Sequence, residues 1–329
     1  MITIRDVAMA AGVSVSTVSH ALSGKRTISE ATKAKIRNAI EELGYEPNPN
    51  ARALRGSGSG VIGLYAYDIT ESFAASIIKG VERVAREKNA YLLFTSGTEF
   101  DENLLEGIDF LKRRRVDGII IAYGIRQPIA EDVLASLDAR VVAVNTSGQP
   151  RVPSVQPDDL GGGEIAAGLL IAKGSTHPLF IGGPPSRVAS ADRLAGFAKG
   201  LQRSGIAFYP ERQVAHGDFT PASGASCLDL LLDRCPDADA VFCANDYMAA
   251  GAINRAGALG ISIPRDLKVI GYDDREFAAF WPIPITSMAL PLEEMGATSA
   301  TMLFDRIEGR EPEPMHLVLG ARLVERAST

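Results

Sequence analysis

At 329 residues, the chain is long enough for two or three domains with substantial cores, and 46% hydrophobic with 22% charged residues is ordinary for a soluble globular protein. No apolar run reaches the roughly 18 residues a membrane helix needs, no signal-peptide pattern opens the chain, and Cys227, Cys235 and Cys243 match no metal-ligand spacing. The expectation is a cytoplasmic protein with reduced thiols, no metal, no cofactor and no membrane contact.

The net charge of −6 hides an asymmetry: residues 1–55 carry eight Lys/Arg against five Asp/Glu, the remainder 26 against 35. A small basic head precedes a larger acidic body. In chain order, Thr3 with Asp6 three residues on reads as an N-cap with an acid in the first turn of IRDVAMAA, a helix that Gly12 ends. Ser14 can cap the next, VSTVSHAL, which stops near Ser23-Gly24. Ser29 caps a third through EATKAKIRNAIEEL, with Ile36, Ile40 and Leu43 on one stripe and Gly44 as stop. Two short helices joined by a glycine turn, then a longer one, is helix-turn-helix geometry. Ile4, Ala8, Ala11, Val13, Val18 and Leu22 then pack inward. Val15, Ser16, Thr17 and His20 are left facing out on the second helix, the part that enters a major groove. Ser16 and His20 can bond base edges, Val15 can touch a thymine methyl, and Thr17 suits a phosphate. After YEP, Asn48 and Pro49 open a helix over NARALR of about two turns, too short to hold alone in water, before the flexible Gly56–Gly60. Arg26, Arg52 and Arg55 suit phosphate or groove contact, and Asn50 joins them as a DNA-contact candidate.

The stretch TIRDVAMAAGVSVSTVSHALSG, then ISEATKAKIRNAIEELGYEPNPNARALR, resembles the head of the LacI/GalR (lactose-repressor/galactose-repressor) family of bacterial transcription regulators. The resemblance implies that the second helix reads bases through Val15, Ser16 and His20. It also implies that paired hinge helices wedge Leu54 into a minor-groove step, as apolar wedges do elsewhere.

From Val61 the texture changes to short apolar runs alternating with amphipathic helices. The runs are VIGLYAY (61–67), AYLLFTSG (90–97), GIIIAYG (118–124), RVVAVNT (140–146), SVQPD (154–158), PLFIGG (178–183), AVFCAN (240–245) and KVIGYDD (268–274). Such alternation means parallel sheets covered on both faces, and the number of strands points to two α/β subdomains. Ligands bind at the carboxyl ends of such strands. Stationed there are Asp68 and Phe73, Tyr123, Asn145, Arg187, Arg193, Phe219, Asn245 with Asp246, and Asp273 with Asp274. Carboxylates and amides can chelate hydroxyl pairs, guanidiniums bind hydroxyls or anions, and aromatic rings cover an apolar sugar face. Singly, Arg193 also reads as a surface ion pair and Asp273-Asp274 as a cap. His177, His216 and His316 read as structural or surface residues.

The resemblance continues through VERVAREKN, FIGGPP, DRLAGFAKGL, FCANDYMAAGAINRAGALGISIPRDLKVIGYDD and PLEEMGATSATML. It implies a core similar to periplasmic sugar-binding proteins, with Arg193 and Asp273 as the main hydrogen-bonding pair of an effector site. Asn245 and Phe219 would line that site and Phe73 would cover it. Arg187 stands where purine-responsive members, among others, place a second basic contact. Asn145 replaces the Asp many sugar-responsive members carry, and Ala122 replaces a polar residue, so the effector's identity is open. The expected domains are a helix-turn-helix head over 1–47, hinge helix and linker over 48–60, and a core over 61–329. The core's N-subdomain takes about 61–158 plus 290–318, its C-subdomain about 159–289 plus 319–329. One recognition helix spans few base pairs, so the expected assembly is a homodimer on a palindromic double-stranded DNA operator. VLGARLVERAST adds no leucine heptads for a tetramer. The expected function is a repressor controlled by a small effector, a sugar or sugar derivative, with release from DNA on binding favoured over retention, and no enzymatic activity: GxSxG, HExxH and P-loop motifs are absent, and GGG at 161–163 lacks the dinucleotide spacing. A solute-binding protein and a purine- or nucleoside-responsive regulator are the alternatives.

Overall fold

The computed structural model describes residues 2–23, 28–45, 58–67, 72–97, 102–122, 140–145, 151–185 and 187–329. At 22, 23, 67, 72, 73, 102 and 103 only the backbone is described. The chain divides into two compact units, Met1–Gly60 and Val61–Thr329.

The first unit holds α1 (Ile4–Ala10), α2 (Val15–Ser23) and α3 (Glu30–Leu43). Each begins and ends where its local chemistry dictates. Both the Thr3 amide and the Thr3 hydroxyl donate to the Asp6 carboxylate at 2.7 Å. Those bonds hold the Asp6 carboxyl below its usual range. Gly12 and Gly44 terminate α1 and α3 in the left-handed region, at φ 64° and 60°. Val7, Ala8, Ala11, Val18, Ile36 and Ala39 form a small buried core, flanked by half-buried Ile4, Val13, Ala21, Ile40 and Leu43. The inward set read from periodicity is thus largely the observed one, extended by residues of α3. Leu22's side chain lies outside the described residues.

The second unit contains two six-stranded sheets. The first runs in the order β11-β5-β4-β3-β1-β2, all parallel. Its strands are β1 (Val61–Tyr67), β2 (Tyr91–Gly97), β3 (Ile119–Ala122), β4 (Val141–Val144), β5 (Ser154–Asp158) and β11 (His316–Gly320). The second sheet, β12-β10-β9-β8-β6-β7, is parallel except for its antiparallel edge strand β12. It comprises β6 (Pro178–Gly182), β7 (Val214–His216), β8 (Ala240–Cys243), β9 (Lys268–Asp273), β10 (Thr286–Ala289) and β12 (Arg322–Val324). Helices α4 (Ser72–Glu87), α5 (Glu102–Arg113) and α12 (Leu292–Ile307) pack on the first sheet. Helices α6 (Asp159–Ala172), α7 (Val188–Arg203), α8 (Pro210–Gln213), α9 (Pro221–Arg234), α10 (Asp246–Ala258) and α11 (Glu276–Phe280) belong with the second. The chain leaves the first sheet after Asp158, re-enters it at His316, and passes back between Gly320 and Arg322. The last crossing falls two residues beyond 318/319 because the β5–β11 ladder runs on to Gly320 opposite Asp158.

Tilted and edge-on rings of Phe180, Phe197, Phe242 and Tyr272 fill the core beneath the second sheet, with centroids 5.3–6.2 Å apart where they meet. The GGG run has a packing reason rather than a phosphate-binding one. A Cβ at Gly163 would collide with the Arg193 carbonyl, one at Gly196 with the Leu160 carbonyl, and one at Gly162 with the Tyr272 hydroxyl. These glycines let α6 and α7 touch backbone to backbone, which brings Asp159 on α6 beside Arg193 on α7.

Candidate functional site

On α2, Ser14 caps the helix by accepting the Thr17 amide at 3.1 Å. The same hydroxyl shares hydrogen bonds with the Ser16 hydroxyl at 2.7 Å and the Thr17 hydroxyl at 2.8 Å. Val15 and Ser16 are exposed, and Thr17 and His20 half-exposed, while Val18 between them is fully buried. The helix therefore presents one short polar face whose hydroxyls are pre-ordered by a single cap. Arg26, Asn50, Arg52, Leu54 and Arg55 lie outside the described residues, as does the expected hinge helix.

At the carboxyl ends of the second sheet, Arg193 reaches inward from α7 and is 6% exposed. Its Nε donates to Asp159 Oδ1 at 2.8 Å and its Nη1 to the Ala244 carbonyl at 2.5 Å. Its Nη2 stands 3.7 Å from Asp273 Oδ1, and the guanidinium lies 3.7 Å over the Tyr272 ring. Burial opposes this charge, and the carboxylates of Asp159 and Asp273 more than restore it, raising the Arg193 pKa. The group is a fixed cation with one edge tied into the fold and the other aimed at Asp273. Arg275, also buried, places its Nε 3.6 Å from Asp273 Oδ2 and packs over the Tyr247 ring.

Behind Asp273 sits Asp246, fully buried at the first turn of α10. It accepts the Ser287 hydroxyl at 2.6 Å and the Arg275 amide at 2.7 Å. Burial and the nearby charge of Asp273 outweigh these bonds and push its pKa up to about 8. The Ser287 hydroxyl in turn accepts the Asp274 amide at 3.0 Å, and Arg326 clasps the Asp274 carboxylate at 2.7 Å. Asn245 spends both ends of its amide locally, accepting the Met248 amide at 2.9 Å and donating to the Phe219 carbonyl at 3.0 Å. The Phe219 ring takes the space a side chain on Gly183 would fill. Asn145, Phe219, Asp273 and Asp274 all hold left-handed φ angles, of 59°, 69°, 98° and 53°. Strain of this kind persists where surrounding structure over-determines it, and it collects at ligand sites.

Of the effector candidates, the structure joins Arg193 to Asp273 and Asn245 to Phe219. Asn145 follows β4 and Arg187 precedes α7, both half-exposed. Phe73 lies in the first turn of α4, its side chain outside the described residues, and Asp68 and Tyr123 are outside them too. Asp159, Tyr272, Arg275 and Ser287 were not singled out as binding residues, and Asp246 was noted only as a polar residue at a strand end. Acids directly after the strands SVQPD and AVFCA were the available signal for Asp159 and Asp246; Ser287 carried none. Among the described residues, no group of His, Cys, Asp and Glu could hold a metal ion, and no helix is long and apolar enough to cross a membrane.

Comparison with known proteins gives two family matches: "Bacterial regulatory proteins, lacI family" over residues 3–48 and "Periplasmic binding protein-like domain" over 167–329. The chain is 36% identical to the HTH-type transcriptional regulator CelR of Thermobifida fusca over 338 residues, covering 99% of this chain and 98% of that one. It is 33% identical to the HTH-type transcriptional repressor PurR of Escherichia coli over 334 residues, covering 100% and 97%. Among solved structures, a CelR–cellobiose complex superposes with a TM-score of 0.75 at 33% identity, covering 100% of both chains. The lac repressor dimer bound to operator and the anti-inducer ONPF does so with a TM-score of 0.87 at 28% identity, covering 100% of this chain and 99% of that one.

Proposed function

Because this chain belongs to the LacI family of bacterial transcription regulators, we propose that it is a cytoplasmic, homodimeric, sequence-specific repressor whose operator affinity is set by a small polyhydroxylated effector. The observation that carries the effector class is the buried Arg193–Asp159–Asp273 group. A guanidinium edge beside a carboxylate offers donors and acceptors at one spacing, which suits adjacent hydroxyls of a sugar better than a single anion. Val15, Ser16 and His20 choose the sequence, Thr17 meets phosphate, and Leu54 acts as the hinge wedge. Asn145, Phe219, Asn245, Phe73 and Tyr123 complete the effector site. The solved CelR–cellobiose complex supports the carbohydrate reading. A half-exposed Arg187 and the likeness to PurR favour, as a second reading, a purine effector.

The test is a gel shift with a duplex carrying the palindrome upstream of the protein's own gene, across a salt series, with and without cellobiose. The expected result is a specific complex whose affinity cellobiose changes; by linkage, the duplex changes cellobiose affinity by the same factor. Absence of any specific complex would sink the regulator reading. A complex that ignores cellobiose and responds to a purine base selects the second effector.

A further inference from the structure

The described residues of the acidic core include a run of four consecutive cations. Lys112, Arg113, Arg114 and Arg115 close α5 and the turn after it, and all four are exposed. Arg114 lies 5.3 Å over the ring of Phe110 on its own helix. Among the described residues none of the four forms an ion pair, although Glu106 and Asp109 lie on the same helix and Asp117 follows the turn. The acids at the end of α12 are already occupied: Glu308 by Lys88 and Arg310, Asp305 by Arg310, and Glu311 by Arg306.

Two further observations single this turn out. Arg115 holds φ at +55°, in the region that favours glycine, with its amide donating to the Lys112 carbonyl at 2.8 Å. A long cationic side chain thus sits where the backbone would prefer none, without an ion pair to offset it. The turn also lies beside Val61, where the chain enters the core: the Asp117 amide donates to the Val61 carbonyl at 2.8 Å. Exposed Arg140 reaches the Asp117 carbonyl at 3.5 Å and extends the same basic edge.

We propose that Lys112, Arg113, Arg114, Arg115 and Arg140 form a second DNA contact, a patch on the core that neutralises backbone phosphates and adds affinity without reading sequence. The patch rests on the DNA-binding reading above. Chain connectivity bounds the distance: residues 46–60 span at most about 50 Å even fully extended, so the head and any duplex it holds are tethered within that reach of Val61. Cations of this kind position a duplex and carry no base information.

The experiment uses the full-length protein and a duplex of unrelated sequence, titrated by fluorescence anisotropy between 50 and 200 mM salt. Lys112→Ala/Arg113→Ala/Arg115→Ala is expected to bind about tenfold more weakly at the low-salt end, with a log–log salt slope shallower by about 2–3. A control removing three exposed cations elsewhere, Lys173→Ala/Lys199→Ala/Arg203→Ala, should stay within about twofold of wild type. The milder Lys112→Gln/Arg113→Gln leaves the Arg115 turn intact and should lower the slope by about 1–2. An unchanged slope in both patch variants, or an equal loss in the control, overturns the patch. Failure of the wild-type protein to bind any duplex instead overturns the DNA-binding reading beneath it.

Discussion

The polar face of α2 and the charged cluster behind Asp273 are built on opposite principles. On α2 the side-chain hydrogen bonds of Ser14 join residues two or three apart, and the groups stay in or near water. At the second sheet, Arg193 bonds residues 34 and 51 positions away and is almost wholly buried. In the proposed roles, a face that meets many candidate base sequences is cheap to assemble and to change. A site that must hold one ligand is fixed by charges that cannot be removed singly, because each neutralises another in a medium that solvates ions poorly.

The sharpest break of this contrast is Arg193→Ala. It leaves Asp159 buried without its countercharge and Asp273 with Arg275 alone, and should cost about 3–5 kcal/mol, read from urea unfolding of the core. A loss below about 1 kcal/mol would show that the cluster is not a closed electrostatic unit. Next comes pH. Asp246 has its carboxyl raised to about 8. Below the range of a free carboxyl both states keep the proton. Between about pH 4 and 8 the unfolded chain has released a proton that the folded core still holds, so stability falls as pH rises. Its contribution is at most about 1.4 kcal/mol per pH unit, and Asp246→Asn should remove it. Identical unfolding midpoints against pH in the two proteins would refute the raised carboxyl. The smallest effect is Ser14→Ala, which removes a local cap and should cost the head about 1 kcal/mol while the core's unfolding stays where it was. A shift in the core transition would mean the cap's influence is not local.

The same contrast explains what could be read from the residues. The head was legible almost entire, since Thr3, Ser14, Ser29, Gly12 and Gly44 act on neighbours within one turn. The apolar strands β1, β3, β4, β6, β8 and β9 announced themselves because both faces of each are covered, leaving only apolar residue types. β7, β10, β11 and β12 did not. β10 reads TSMA, and its Thr286 and Ser287 are buried only because Ser328, Arg326 and Asp246 bond them from 40 or more residues away. β11 is an edge strand with a mixed surface. Arg193 and Asp273 were found by their place at strand ends; Asp159, Arg275 and Ser287, which fix them, were not.

What the sequence determined alone is therefore the set of local decisions: where helices start and stop, which segments are strands, and which short polar face lies open on α2. Only the tertiary structure decided which charges meet. The energy of a buried ion pair depends on partners brought together by helix contacts such as Gly163 on Arg193 and Gly196 on Leu160, and no local pattern in the chain encodes that distance.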